Sequence, residues 1–307
     1  MKIWAIAVNT FKEAVRNRVL YVLLFFSVLI MLGAWVASTL SIDEETKIVR
    51  DLGIGSINII SVLIAVFVGI GLVYNDLDKK TIYTIVSKPI SRWQFIFGKY
   101  LGLMLTITVN VLFMTWIFAS VLYFRSYIAT DVLFKVTSEG GSMAGHYVVS
   151  IFKALAMGIV HVVSFGNDGA AFTQGLFAAS VFTILEMAII TAFAILFSSF
   201  SSPTLSAFLT VIVFIIGRLN QDLYLFADTM MTRAGGLENL SGGQVMVYYF
   251  SVGSAYLTPN LAIFDKRPEV AEFLPITFQP LDILYGVVYT TLVLVIAVMV
   301  FNRRNFK

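Results

Sequence analysis

The sequence predicts an all-α integral membrane protein: six transmembrane helices, an N-terminal interfacial amphipathic helix, a short cytoplasmic helix and long external segments with interfacial or re-entrant helices. Three observations carry this. First, of 307 residues 59% are hydrophobic and 13% charged, with a mean hydropathy of +0.89. A soluble domain is about 45–50% apolar and about 25% charged, and a buried core of this size still needs a polar coat, so lipid must be part of the solvent. Second, the chain holds several runs of twenty or more residues without a charge. Third, lysine and arginine cluster in the short segments between some of them.

A membrane span needs about 20 apolar residues to cross about 30 Å of hydrocarbon. Residues 1–18 form the interfacial helix: Ile3, Trp4, Ala7, Val8, Phe11, Ala14 and Val15 share one face of a 3.6-residue period, with Lys2, Asn9, Lys12, Glu13 and Arg16 elsewhere. Span one is 19–42, between Arg18 and Asp43. It is long and lacks a small-residue cleavage site, so it reads as a span and not as a signal peptide. Span two is 53–74, followed by a polar loop, 75–99. Span three, 100–124, holds no charge, and an external segment follows at 125–171. Between Asp168 and Arg218 the single charge is Glu186. That stretch is too long for one helix, and the serines before Pro203 supply turn chemistry. It divides into span four, 172–197, and span five, 203–217. A second external segment, 218–281, precedes span six, 283–302. Met143–Phe165 and Asn239–Phe264 are weaker apolar stretches, read as interfacial or re-entrant. Trp35, Trp116, Tyr248, Tyr249 and Tyr256 suit the aromatic belts at a membrane surface.

Orientation follows from the basic residues of short loops. Lys2, Lys12, Arg16, Arg18, Lys79, Lys80, Lys88, Arg92, Lys99, Arg303, Arg304 and Lys307 fall on one side with only Glu13, Asp76 and Asp78. The other side carries nine basic and fourteen acidic residues. The basic side is expected to be cytoplasmic, with both termini on it. Cytoplasmic parts are then short, and any cytoplasmic energy source must come from a partner.

The polar loop is the most informative stretch. Asp76 or Asp78 can start a helix, where the N-terminal dipole favours an acid. Ile82, Ile85 and Val86 give an amphipathic stripe, Pro89 ends it, and Ser91 can cap a second helix running into Gly98 and Lys99. An apolar stripe on a short cytoplasmic helix needs a cover, either a partner or the membrane surface and the chain's own spans.

Asp76, Asp78, Thr81, Ile85, Val86, Ser87, Pro89, Ser91, Arg92, Gly98 and Lys99 form a pattern that resembles the membrane subunits of type 2 ABC exporters. The interfacial helix and six-span plan extend the likeness over most of the chain. It is nearest the subgroup with a separately encoded ATPase, which includes the permease of nitrous oxide reductase maturation and gliding or pilus-associated exporters. The resemblance implies that 75–99 holds the coupling helix that docks on the ATPase subunit, through Asp76, Asp78, Lys79, Lys80, Thr81, Ile82, Ile85, Val86, Pro89 and Arg92. Lys80 departs from the family, which commonly has glycine there. The resemblance also implies two ATPase subunits, a second copy of this chain or a related permease, and a bacterial or archaeal cytoplasmic membrane. ATP and magnesium would sit in the ATPase, with no cofactor or catalytic residue in this chain. Long external segments suggest a periplasmic partner or gate; no nucleic-acid partner is expected.

Leu240-Ser241-Gly242-Gly243-Gln244 spells the signature of ABC ATPases, but the sequence holds no Gly-x-x-x-x-Gly-Lys-Ser/Thr loop, and Gly-Gly suits a turn. Glu186 lies in mid-span, where an ionisable group costs at least about 2–3 kcal/mol and needs a partner or a watery cavity. It reads as a substrate-path or interface residue, or as a carboxyl hydrogen-bonded within the bundle. His146 and His161 are too far apart for a metal site without further ligands, and the absence of cysteine removes disulfides and thiolate ligands. The competing functions are an ATP-independent secondary transporter or channel and, more weakly, an intramembrane enzyme. The first would show matching broken helices in both halves; only the Pro203 break is present.

Overall fold

The computed structural model describes residues 2–38, 45–71, 91–127, 175–272, 274 and 276–303. Among these every regular element is helical. Helix α1, Lys2–Val15, buries Ala7, Thr10 and Ala14 and leaves Trp4 65% exposed. Asn17 separates it from α2, Arg18–Ser38, and accepts a 3.0 Å hydrogen bond from the Val19 amide, as a helix cap does. Tyr21, Val22, Phe25, Phe26, Leu29 and Ile30 of α2 are all exposed. A helix so apolar on its outer faces is stable only where the surroundings are apolar too.

Helix α3, Glu45–Leu63, continues through a wider π-helical turn at Ile64–Gly69. It begins well before residue 53, where its apolar run starts, because its early charges find partners. Arg50, fully buried, donates to the Val270 carbonyl at 2.7 Å, and Lys47 lies 3.1 Å from Glu272. Helix α4, Arg92–Tyr127, likewise starts before residue 100 and has 36 residues. At 1.5 Å per residue it is about 54 Å long and exceeds the hydrocarbon thickness. Helix α5, Leu176–Ser198, is the central element and is buried along most of its length. Its hydroxyls, like those of α4, are satisfied locally: Thr106, Thr115, Ser180 and Thr183 each donate to the carbonyl four residues back. Thr115 and Ser180 also meet across the α4–α5 contact at 2.7 Å.

Pro203 occupies the first turn of α6, Pro203–Arg218. At 16 residues α6 reaches about 24 Å, short of a full crossing. It bends by 56° into α7, Asn220–Ala234, which ends at Gly235 with φ +71°. Helix α8, Gly242–Leu257, folds back on α7. The expected turn at Gly242-Gly243 is instead the first turn of this helix. Ser241 caps it, and Gln244 reaches back to the Ser241 amide in a reciprocal capping box. The short helix α9, Arg267–Ala271, precedes α10, Pro280–Arg303.

Five described helices are long and apolar enough to cross a membrane: Arg18–Ala37, Lys47–Gly69, Arg92–Tyr123, Leu176–Ser198 and Pro280–Arg303. The bent pair α6–α7 makes a sixth if counted as one broken span. The core lies where α3, α4, α6 and α10 pack around α5. One end of the bundle gathers α1, the start of α4 and the end of α10, with Phe95 and Phe301 stacked. The other gathers the starts of α3 and α5 with residues 259–272 and 276–278, where Phe182 stacks on Phe278.

Candidate functional site

Glu186 is 0% exposed on α5. Asn58 of α3 donates to its Oε2 at 2.6 Å, and Nε of Arg218, the last residue of α6, lies 3.5 Å from its Oε1. Arg218 Nη1 is 3.0 Å from Asp265 Oδ2. Asp265 in turn accepts from Arg267 Nε at 2.9 Å and Nη2 at 2.7 Å, a forked contact that suits a planar guanidinium. A line of alternating charge thus runs from α3 and α5 through the end of α6 to the loop before α9. Burial alone would push the Asp265 carboxyl up. The hydrogen bond from Arg267 and the charges of Arg218 and Arg267 overcome that and hold it below the usual carboxylate range. The same hydrogen bond raises the Arg267 guanidinium above its ordinary value.

Local sequence explains how the partners reach each other. Gly217 allows the 259–264 segment to lie on the end of α6. A Cβ there would come within 2.8 Å of both Leu261 Cδ1 and the Pro259 carbonyl, and the Leu261 amide donates to the Gly217 carbonyl at 2.9 Å. Asn220 then ties α7 to the end of α8 by donating to Ala255 O at 2.6 Å. The contacts within the line are unequal. Glu186 Oε1 and Arg218 Nη1 are held by charge without hydrogen-bond geometry, whereas Asp265 and Arg267 are fully engaged. Each charged side chain here is answered by another of the same chain, so the cluster joins elements and does not present reactive groups to a cavity.

The opposite end is assembled through glycine. A Cβ at Gly102 would lie 2.5 Å from the Ala7 carbonyl and 2.6 Å from Thr10 Cβ, and one at Gly98 would lie 2.7 Å from Ile6. These two positions, one turn apart, let α1 lie directly on the α4 backbone. Lys99, almost fully buried between them, reaches Glu13 at 3.6 Å. Arg92 donates to the carbonyls of Phe301 and Asn302 at 3.3 and 3.0 Å, so the first residue of α4 grips the end of α10.

Of the residues singled out in the sequence, Arg92 therefore lies in this bracket and Glu186 in the ionic line. Asp76, Asp78, Lys79, Lys80, Thr81, Ile82, Ile85, Val86 and Pro89 lie outside the described residues, as do His146 and His161. Among the described residues no group of three His, Cys, Asp or Glu is arranged to hold a metal. Asn58, Arg218, Asp265 and Arg267 complete the ionic line without standing out in the sequence as site residues. The available signal was Arg218, which closes an apolar run, and Asp265-Lys266-Arg267, a charged patch in an apolar stretch.

Residues 4–306 match the model of a family described as ABC-2 family transporter protein. No curated protein matches the chain.

Proposed function

The chain belongs to the ABC-2 family of transporter proteins, and from that premise we propose that it is the permease subunit of an exporter driven by ATP hydrolysis in a separate ATPase subunit. Two copies of this chain, or one with a related permease, pair in a bacterial or archaeal cytoplasmic membrane with both termini inside. Two ATPase subunits hold ATP and magnesium and dock on the coupling segment 75–99 through Asp76, Asp78, Lys79, Lys80, Thr81, Ile82, Ile85, Val86, Pro89 and Arg92.

The observation that supports this reading is the bracket at the α1 end. The coupling segment leads into α4, and α4 at Arg92 is bonded to the last turn of α10 and, through Gly98 and Gly102, to α1. A push delivered just before Arg92 therefore moves three elements together, because close-packed helices transmit displacement with little compression. The sequence holds no P-loop, which supports a partner as the site of hydrolysis. The substrate leaves no signature among the described side chains.

The test compares the wild-type chain with Asp76→Lys/Asp78→Lys and Thr84→Pro, each assembled with the ATPase in vesicles. Both variants are expected to insert normally yet lose stimulated ATP hydrolysis and export. Full export by both, or export that continues on an ion gradient without ATP, contradicts the reading.

A further inference from the structure

One face of α7 sets exposed apolar residues between two opposite charges. Asp222, Leu225, Phe226, Thr229, Met230 and Arg233 line a shallow groove of about 360 Å³ along it. Their spacing is that of a single helical stripe. Leu225 is 54% and Phe226 51% exposed. The stripe is apolar in its middle, acidic at its start and basic at its end. Neither Asp222 nor Arg233 has an ion-pair partner among the described residues. The helix dipole favours an acid in the first turn and a base in the last, which accounts for the two charges but not for the apolar groove between them.

We propose that this stripe is where two copies of the chain meet, α7 against α7, antiparallel across a two-fold axis. An isologous contact needs a surface complementary to itself. In the antiparallel register Asp222 faces Arg233 of the second copy, Leu225 faces Met230, and Phe226 faces Thr229, with every pairing made twice. The two charges are 11 residues apart, about 16 Å along the helix, so both ion pairs close in one register. Hydrocarbon would cover Leu225 and Phe226 equally well, but it would leave the charges unanswered. A second copy supplies the opposite charge at both ends. The 56° bend after α6 and the packing of the far side of α7 on α8 leave this face turned outward. The inference rests on the reading of the chain as one of a permease pair and assigns that pair a contact.

The chain contains no cysteine, so an introduced pair reports without background. In membranes holding the full chain, Phe226→Cys/Thr229→Cys is expected to give disulfide-linked dimers on mild oxidation. Tyr224→Cys, exposed on another side of α7, serves as the collision control and is expected to give few. On the double-cysteine background, Asp222→Arg puts like charges together at both ends and should cut the dimer yield about tenfold, from the loss and reversal of two ion pairs. Adding Arg233→Asp to that variant should restore it, which a merely misfolded variant would not do. Equal cross-linking at Tyr224→Cys, absence of dimer, or indifference to the charge changes overturns the proposal. ATP-driven export measured on the cysteine-free chain separates the two readings: export by that chain together with no dimer from Phe226→Cys/Thr229→Cys rejects this contact and leaves the permease reading intact.

Discussion

At the α1 end of the bundle, elements meet backbone to side chain: Gly98 and Gly102 of α4 admit Ile6, Ala7 and Thr10 with no room for a methyl group. At the other end they meet charge to charge, through Glu186, Arg218, Asp265 and Arg267. The two arrangements fail in opposite ways. Close backbone packing is insensitive to charge and salt but intolerant of added volume. A buried ionic line tolerates some change of shape but not the removal of one member, since the remaining charge stays desolvated. The proposed permease, pushed at the α1 end, would have use for both: a stiff receiving end and a distal end whose contacts can be exchanged.

The comparison breaks most directly at Glu186. Glu186→Ala leaves Asn58 without its acceptor and Arg218 with Asp265 alone, and should cost about 1–3 kcal/mol, read as a lower thermal midpoint in detergent. Glu186→Gln, which can still accept from Asn58, should cost less. An unchanged midpoint for Glu186→Ala would remove the ionic line as a structural element. Next comes Gly102→Ala. Helix propensity alone predicts a gain of about 1 kcal/mol, but the contact with Ala7 and Thr10 predicts a net loss of about 1–3 kcal/mol from overpacking. Proteolysis at Lys2 or Lys12 should speed up as α1 lifts, and a stabilised variant would show that α1 is not seated on α4 in this way. The smallest effect is expected at Lys47, whose pair with Glu272 is about half exposed. Lys47→Ala should cost under about 1 kcal/mol and less still in high salt. A larger, salt-insensitive loss would extend the ionic end outward to α9.

Much of the helical framework is legible in the sequence for a simple reason. An uncharged run of twenty residues can satisfy its backbone in lipid only as a helix or within a closed barrel; α2 and α10 each follow such a run, and α5 follows one interrupted only by Glu186. Where the helices begin is less legible. Counting charges sets the start of the second span at 53 and the third at 100. Yet α3 extends back to Glu45 and α4 to Arg92, because Arg50 bonds a carbonyl 220 positions away and Arg92 bonds carbonyls more than 200 positions away. Partners at such separations leave no local trace. The same limit applies to Glu186: its cost in mid-membrane is visible from its position, whereas Asn58 and Arg218 become its partners only through packing. The helical start at Gly242-Gly243, where the glycines suggest a turn, has a local cause, since the Ser241–Gln244 capping box outweighs the glycines.

In the proposed permease, force reaches α4 and α10 from a nucleotide-hydrolysing companion. Isolation of the chain from its native membrane in mild detergent, followed by mass spectrometry of what travels with it, tests this most directly. A P-loop ATPase is expected in equal number to the permease, released when residues 75–90 are replaced by a glycine-serine linker. Repeated recovery of the chain with no such companion would contradict it.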